Sequence, residues 1–124
     1  MRTSELTGAM LDYWVAKAER VDAVMSDPYR DGSRSMVTFY GRGHDGRMDG
    51  RSYKPSEHWE DGGPLIAKYR IGFGIYEPGE RAYFACTGIS DSHGAGHGPD
   101  HLIAACRAVV QAAFGNEVQE GSAS

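Results

Sequence analysis

Glycine placement constrains this chain more than any other feature. Of 17 glycines in 124 residues, 13 lie between Gly41 and Gly98, and the total is about twice the ordinary ~7% usage. Glycine costs backbone entropy inside helices and strands. The middle of the chain therefore reads as turns and loops, and the two glycine-poor ends read as regular structure. A length of 124 residues fits one domain, expected over residues 1–118 with a polar tail at 119–124.

Composition removes several classes. The longest apolar runs fall well short of the 18 or more residues a membrane helix needs, and Glu5 and Asp12 interrupt the start of the chain where a signal peptide would need an apolar stretch. Two cysteines, Cys86 and Cys106, cannot make a disulfide scaffold, so a reducing, cytoplasmic location is expected. A net charge of −4 argues against a protein whose main work is gripping phosphate backbones. The 40% hydrophobic content supplies a small core, so the chain should fold.

The first element expected is a helix over residues 7–20. Thr7 offers an N-cap hydroxyl, and Leu11, Trp14, Val15 and Ala18 share one face. Asp12, Lys17 and Glu19 fall off that stripe, where they can stay in water. Residues 2–5 suit a brief edge strand. Alternation over 21–27 and the β-branched and aromatic run at 35–40 predict two strands. Residues 41–52 carry four glycines and no hydrophobic period, which reads as an exposed loop. In 53–69, Ser56 should cap one short helical turn with Trp59 pointing inward. Gly62 and Gly63 should end that turn, and Pro64 should restart the chain. Residues 70–77 and 81–88 form a hairpin about Pro78, Gly79 and Glu80, with Ile71, Phe73 and Ile75 on one face.

The last element is a helix with Asp100 as N-cap and Gly115 as stop. Leu102, Ile103, Cys106, Val109, Val110 and Ala113 form its apolar stripe, and four alanines allow close packing. The fold class that follows is α+β, with two amphipathic helices, N- and C-terminal, packed on a small antiparallel sheet.

Three separated blocks carry a resemblance: TSELTGAMLDYWVAKAE from Thr3, YKPSEHWEDGGPLI from Tyr53, and GPDHLIAACRAVVQAAFGNEV from Gly98. Together they resemble the NinX-like proteins of tailed phages and prophages, cover about half the chain and stand in that family's order. The resemblance implies a small accessory protein of phage or prophage origin working inside a bacterial cell. It brings no catalytic residues and no cofactor. The insert at 41–52 and the stretch SDSHGAGHGPDH do not look like fixed features of the family.

The sharpest chemical signal is His93, His97 and His101, spaced four and four. On a helix they would align as Zn²⁺ or Ni²⁺ ligands, but Gly94, Gly96, Gly98 and Pro99 argue against a helix there. A loop would have to meet its own ordering entropy from metal binding. The loop HDGRMDG from His44 departs from a calcium loop at Arg47 and Met48. Cys86 and Cys106 both read as small core residues, because activated thiolates need electropositive, partly exposed surroundings. Ser90, Asp91, Ser92 and His93 hold the residue types of a triad without its geometry. No catalytic set is complete, and the chain reads as a binding protein.

Two binding surfaces remain. Tyr53, Trp59 and Tyr69 could rim a groove for a peptide or a planar ligand, although the plainer reading docks Trp59 and Leu65 into the core. Arg30, Arg34, Arg42, Arg47 and Arg51 interleave with Tyr29, Tyr40 and Tyr53, a pattern for weak single-stranded nucleic-acid binding that Asp31, Asp45 and Asp49 dilute. The expected partner is another protein, with a homo-oligomer open beside it. Nucleic acid is the less favoured partner, a metal on the three histidines less favoured still, and neither a membrane nor a cofactor is expected.

Overall fold

Residues with helical spacing and good caps form helices where the sequence places them. The structure, a computed structural model, describes residues 1–42, 48–88 and 93–119. Helix α1 spans Gly8–Glu19. Thr7 stands at its N-cap position with an extended backbone, though its side chain makes no capping bond. Leu11, Trp14 and Val15 are buried as their spacing requires. Helix α3 spans His101–Phe114, and the Asp100 carboxylate accepts the Ile103 amide at 2.8 Å. That bond satisfies one of the amides a helix start leaves open.

Helix α3 lies at the centre of the molecule. Residues 104–110 are buried without interruption, because α1, α2 and a sheet all pack against it. Val109 and Val110 reach the same cluster as Leu6, Leu11 and Leu65. The chain is thus an α+β fold, as expected, with more parts than expected. The described residues form three helices and two separate three-stranded antiparallel sheets.

The first sheet is β1 (Ala23–Met25), β2 (Met36–Arg42) and β3 (Met48–Ser52), in that order. Met36 and Tyr53 carry it onto Ala16 of α1. Strand β3 corrects the loop expected over 41–52: Val37 pairs with Ser52, Phe39 with Gly50 and Arg42 with Met48, and the register shifts between Phe39 and Gly41. Backbone pairing needs no hydrophobic period, so a polar, glycine-bearing strand gives little signal. Residues 43–47, and with them most of the calcium-like loop, lie outside the described residues.

The second sheet is β4 (Gly72–Ile75), β5 (Tyr83–Cys86) and β6 (Ala95–Gly98). The first two strands are the expected hairpin. Strand β6 replaces the expected histidine-rich loop, pairing Phe84 with His97 and Ala85 with Gly96. Its glycines are required by packing. A Cβ on Gly96 would stand 2.7 Å from both the Ala104 carbonyl oxygen and the Ala108 amide nitrogen, and one on Gly98 would stand 2.8 Å from the Ala104 amide. The alanines of α3 and the glycines of β6 together let helix and strand approach backbone to backbone.

Helix α2, Trp59–Lys68, corrects the expected single turn, since it runs through Gly62, Gly63 and Pro64. Gly62 is there because a Cβ would strike the Pro55 carbonyl and Leu102. Pro64 faces solvent, where the Glu60 carbonyl whose helical bond it removes can be hydrated. Residues 3–5 are one 3-10 turn rather than an edge strand. That turn is clipped to the end of the chain: the Thr3 hydroxyl donates to the Gly115 carbonyl at 2.7 Å, the Thr3 amide donates to the Asn116 carbonyl, and Arg2 bridges Glu117.

Candidate functional site

The three histidines are delivered to different places because they stand on different elements: His93 precedes β6, His97 lies in it and His101 opens α3. Tyr83 and Phe84 are consecutive in β5, so their rings lie on opposite sides of the sheet. His97 follows Phe84, with ring centroids 4.9 Å apart, and Arg81 Nη2 lies 3.3 Å from both of its ring nitrogens. Burial, with the Arg81 charge beside it, lowers the His97 pKa. His101, in the first turn of α3, packs on the other side against Tyr83 at 4.1 Å and Phe73 at 4.9 Å. His93 is exposed. Among the described residues, the histidine and carboxylate ligand atoms that gather within 4.8 Å are those of His58, Glu60 and Asp61. The Asp61 carboxylate is already engaged there: Oδ1 accepts from Arg51 Nη1 and Oδ2 from the Lys54 amide, both at 2.9 Å.

The residues of the expected groove are likewise separated. Tyr53 is buried against Ala16 and Met36, and burial raises its pKa. Tyr69 donates its hydroxyl to Glu19 at 2.6 Å, at the far end of α2, beside the Lys68–Glu19 ion pair. Trp59 does not point inward: it is 58% exposed. The buried face of α2 is set by Asp61, Gly62 and Leu65, and Trp59 falls off that face. Its ring sits 6.2 Å from His101.

A continuous aromatic surface results. Ile75 and Tyr83 are paired across β4 and β5, Tyr83 stacks on His101, and His101 leads to Trp59. Ile75 continues the face that carries Phe73, yet it is 70% exposed because α3 begins only at His101 and stops short of covering it. The sequence placed Ile75 on one face with Ile71 and Phe73, and expected Trp59 to point inward. The missing signal was where α3 starts relative to the sheet.

Residues 2–112 match a family model described as Bacteriophage P22, NinX. The chain belongs to this NinX family. A search of curated proteins found no match. The three sequence blocks that carried the resemblance hold α1, α2 and α3, which meet in the core of this NinX-family fold. Among the described residues, no helix is long and apolar enough to cross a membrane.

The arginine and tyrosine run of the NinX chain is partly committed to the fold. Arg51 pairs with Asp61 and Tyr53 is in the core, while Tyr29 is exposed and shares a hydrogen bond with Ser35 at 2.6 Å. Arg30 and Arg34 are exposed. Arg47 lies outside the described residues, as do Ser90, Asp91 and Ser92 of the triad-like stretch. The two cysteines divide: Cys106 is buried, as expected, and burial pushes its thiol pKa well up. Cys86 is exposed, because Ala85 takes the helix-facing position next to it.

Two carboxylates escaped the sequence reading. Asp12 was expected in water and is 2% exposed, accepting the Ser56 amide at 3.0 Å. Burial raises its pKa from 3.8 to about 6, with the hydrogen bonding of Ser56 pulling the other way. Asp61 ties β3 and the turn at Lys54 to α2. Both hold loop amides to helices, a role that no local pattern announces.

Proposed function

We propose that this chain is a phage accessory protein that acts by binding another protein through the surface formed by Trp59, Ile75, Tyr83 and His101. The observation that supports this reading is the exposure of Trp59 and Ile75 on one aromatic surface. A soluble fold ordinarily turns such residues inward, and an exposed contiguous patch of this kind marks an interaction site. Tryptophan and tyrosine are also the side chains that most often dominate interface energetics. The surface stands on α2, α3 and the paired strands β4 and β5, so it is presented rigidly and loses little freedom on binding.

The test is affinity capture from phage-infected cells with the wild type and a Trp59→Ser/Ile75→Ser double variant, followed by binding of the captured protein in purified form. The reading expects one partner whose affinity falls about 30-fold in the variant, the scale of a lost ~2 kcal/mol contact. Equal affinity for both forms would remove the surface from the account. A purified wild type that dimerises, with a variant that does not, would make the partner a second copy and overturn the heterologous reading.

A further inference from the structure

The polar cleft on the other side of β6 is unrelated to the aromatic surface. It has a volume of ≈ 340 Å³ and lies between the N-terminal segment, the open edge of β6 and the last turns of α3. Its wall includes Arg107, which is 7% exposed. The guanidinium donates from Nε to the Leu6 carbonyl at 3.0 Å and from Nη1 to the His97 carbonyl at 2.7 Å. A guanidinium carries five N–H donors, so most of its donor capacity is still open. Among the described residues, no carboxylate forms an ion pair with Arg107. Burial lowers its pKa, with the charges of Glu80 and Asp100 pulling the other way, as for a cation held out of water without a direct ion-pair partner.

The rest of the cleft supplies what an anion needs. β6 is an edge strand. A residue in a strand turns its N–H and C=O to the same side, so the His97 amide faces the open edge along with the carbonyl that Arg107 holds. The neighbouring edge donor, the Ala95 amide, is taken by Gln111 Oε1 at 2.5 Å. Arg2 lies on the rim, exposed and outside every ion pair of the described residues, with Ser4 beside it. Among the described residues, Glu117 is the one acidic side chain on the wall.

We propose that this cleft is a binding site for a small molecule bearing a phosphate group. The planar Arg107 fork and the His97 amide would hold its oxygens, and Arg2 would supply the second positive charge a phosphate dianion requires. A fixed planar fork suits bidentate capture of an oxyanion, and two arginines suit a dianion better than a single carboxylate. Bound there, the anion also gives Arg107 the direct ion-pair partner that it does not find among the described residues.

The probe is inorganic phosphate, titrated into the full chain while the Arg107 side-chain Nε–H and the His97 amide are followed by ¹H–¹⁵N NMR, with acetate and chloride at matched ionic strength as the other arms. The expected result is a saturable shift of both resonances with phosphate, and only a weak linear drift with chloride. Arg2→Ala, at an exposed position free of ion pairs, should weaken phosphate about tenfold. Arg107→Lys keeps the charge but loses the fork, and should abolish saturation while the circular dichroism stays native. If that variant fails to fold, the wild-type titration and Arg2→Ala still decide. Phosphate shifts no larger than those with chloride would overturn the site. Tighter binding of acetate than of phosphate would overturn the phosphate assignment, and undiminished affinity in Arg2→Ala would overturn the second charge.

Discussion

Sheet β4–β5–β6 meets its helix through missing side chains, whereas sheet β1–β2–β3 meets α1 through large ones. At β6, Gly96 and Gly98 leave room for the backbone of α3 itself. At β2, the contact is made by Met36, with Tyr53 just past β3, closing on Ala16. A backbone-to-backbone seam tolerates no added atom, because both surfaces are rigid. A side-chain seam can repack by changing rotamers. The difference also bears on function, since the aromatic surface and the polar cleft both border the α3 seam, and each depends on where β6 is held.

The largest expected effect is at that seam. Gly96→Ala should cost about 3 kcal/mol or more in denaturant unfolding, the upper range for overpacking against a surface that cannot move. A cost below about 1 kcal/mol would mean that strand and helix separate easily, and the contrast between the sheets would collapse.

The second effect concerns a polar tie between α1 and the turn before α2. Asp12 has its pKa raised to about 6 in the fold against 3.8 as the ordinary value. The folded state therefore holds its proton more tightly than the unfolded chain does. The stability this contributes is fully present below about pH 4 and is lost as pH rises through about 6. Asp12→Asn, which stays neutral, should flatten the fall in stability between those pH values by on the order of 2–3 kcal/mol. Parallel pH profiles for the two proteins would show that the carboxylate is not held out of water.

The smallest effect separates two uses of glycine. Gly32 has φ +84° with open space around its Cβ position, so Gly32→Ala should cost only about 1 kcal/mol of backbone strain. If it destabilises as much as Gly96→Ala, the cost at Gly96 cannot be assigned to close packing.

These residues also show what a sequence makes legible. Helices α1 and α3 and the β4–β5 hairpin were readable because apolar period, cap and turn residues agree there. Strand β6 was not, since Ala95, Gly96, His97 and Gly98 have no strand propensity, and their placement is decided by the alanines of α3. Helix α2 was hidden for a related reason. Gly62 reads as conformational freedom, but its value here is the absence of a Cβ next to Pro55 and Leu102. The candidate sites were less legible than the fold. The histidine spacing suggested a metal, while the chain leaves β6 after Gly98 and enters α3 at His101, which puts His97 and His101 on opposite faces of the sheet. Trp59 was visible from the start, but its exposure depends on the phase of a helix that glycines and a proline disguised. Arg107 gave no signal at all, because its partners are the carbonyls of Leu6 and His97, far away in the chain.

Strand β6 is packed directly on the central helix α3, although its composition is that of a loop. Residue-resolved native-state hydrogen exchange tests it directly. The Gly94, Gly96 and Gly98 amides should exchange only with global unfolding, together with α3, while amides of β1 and β3 should exchange through smaller openings. Exchange of the β6 glycines before those of β1 and β3 would contradict the account.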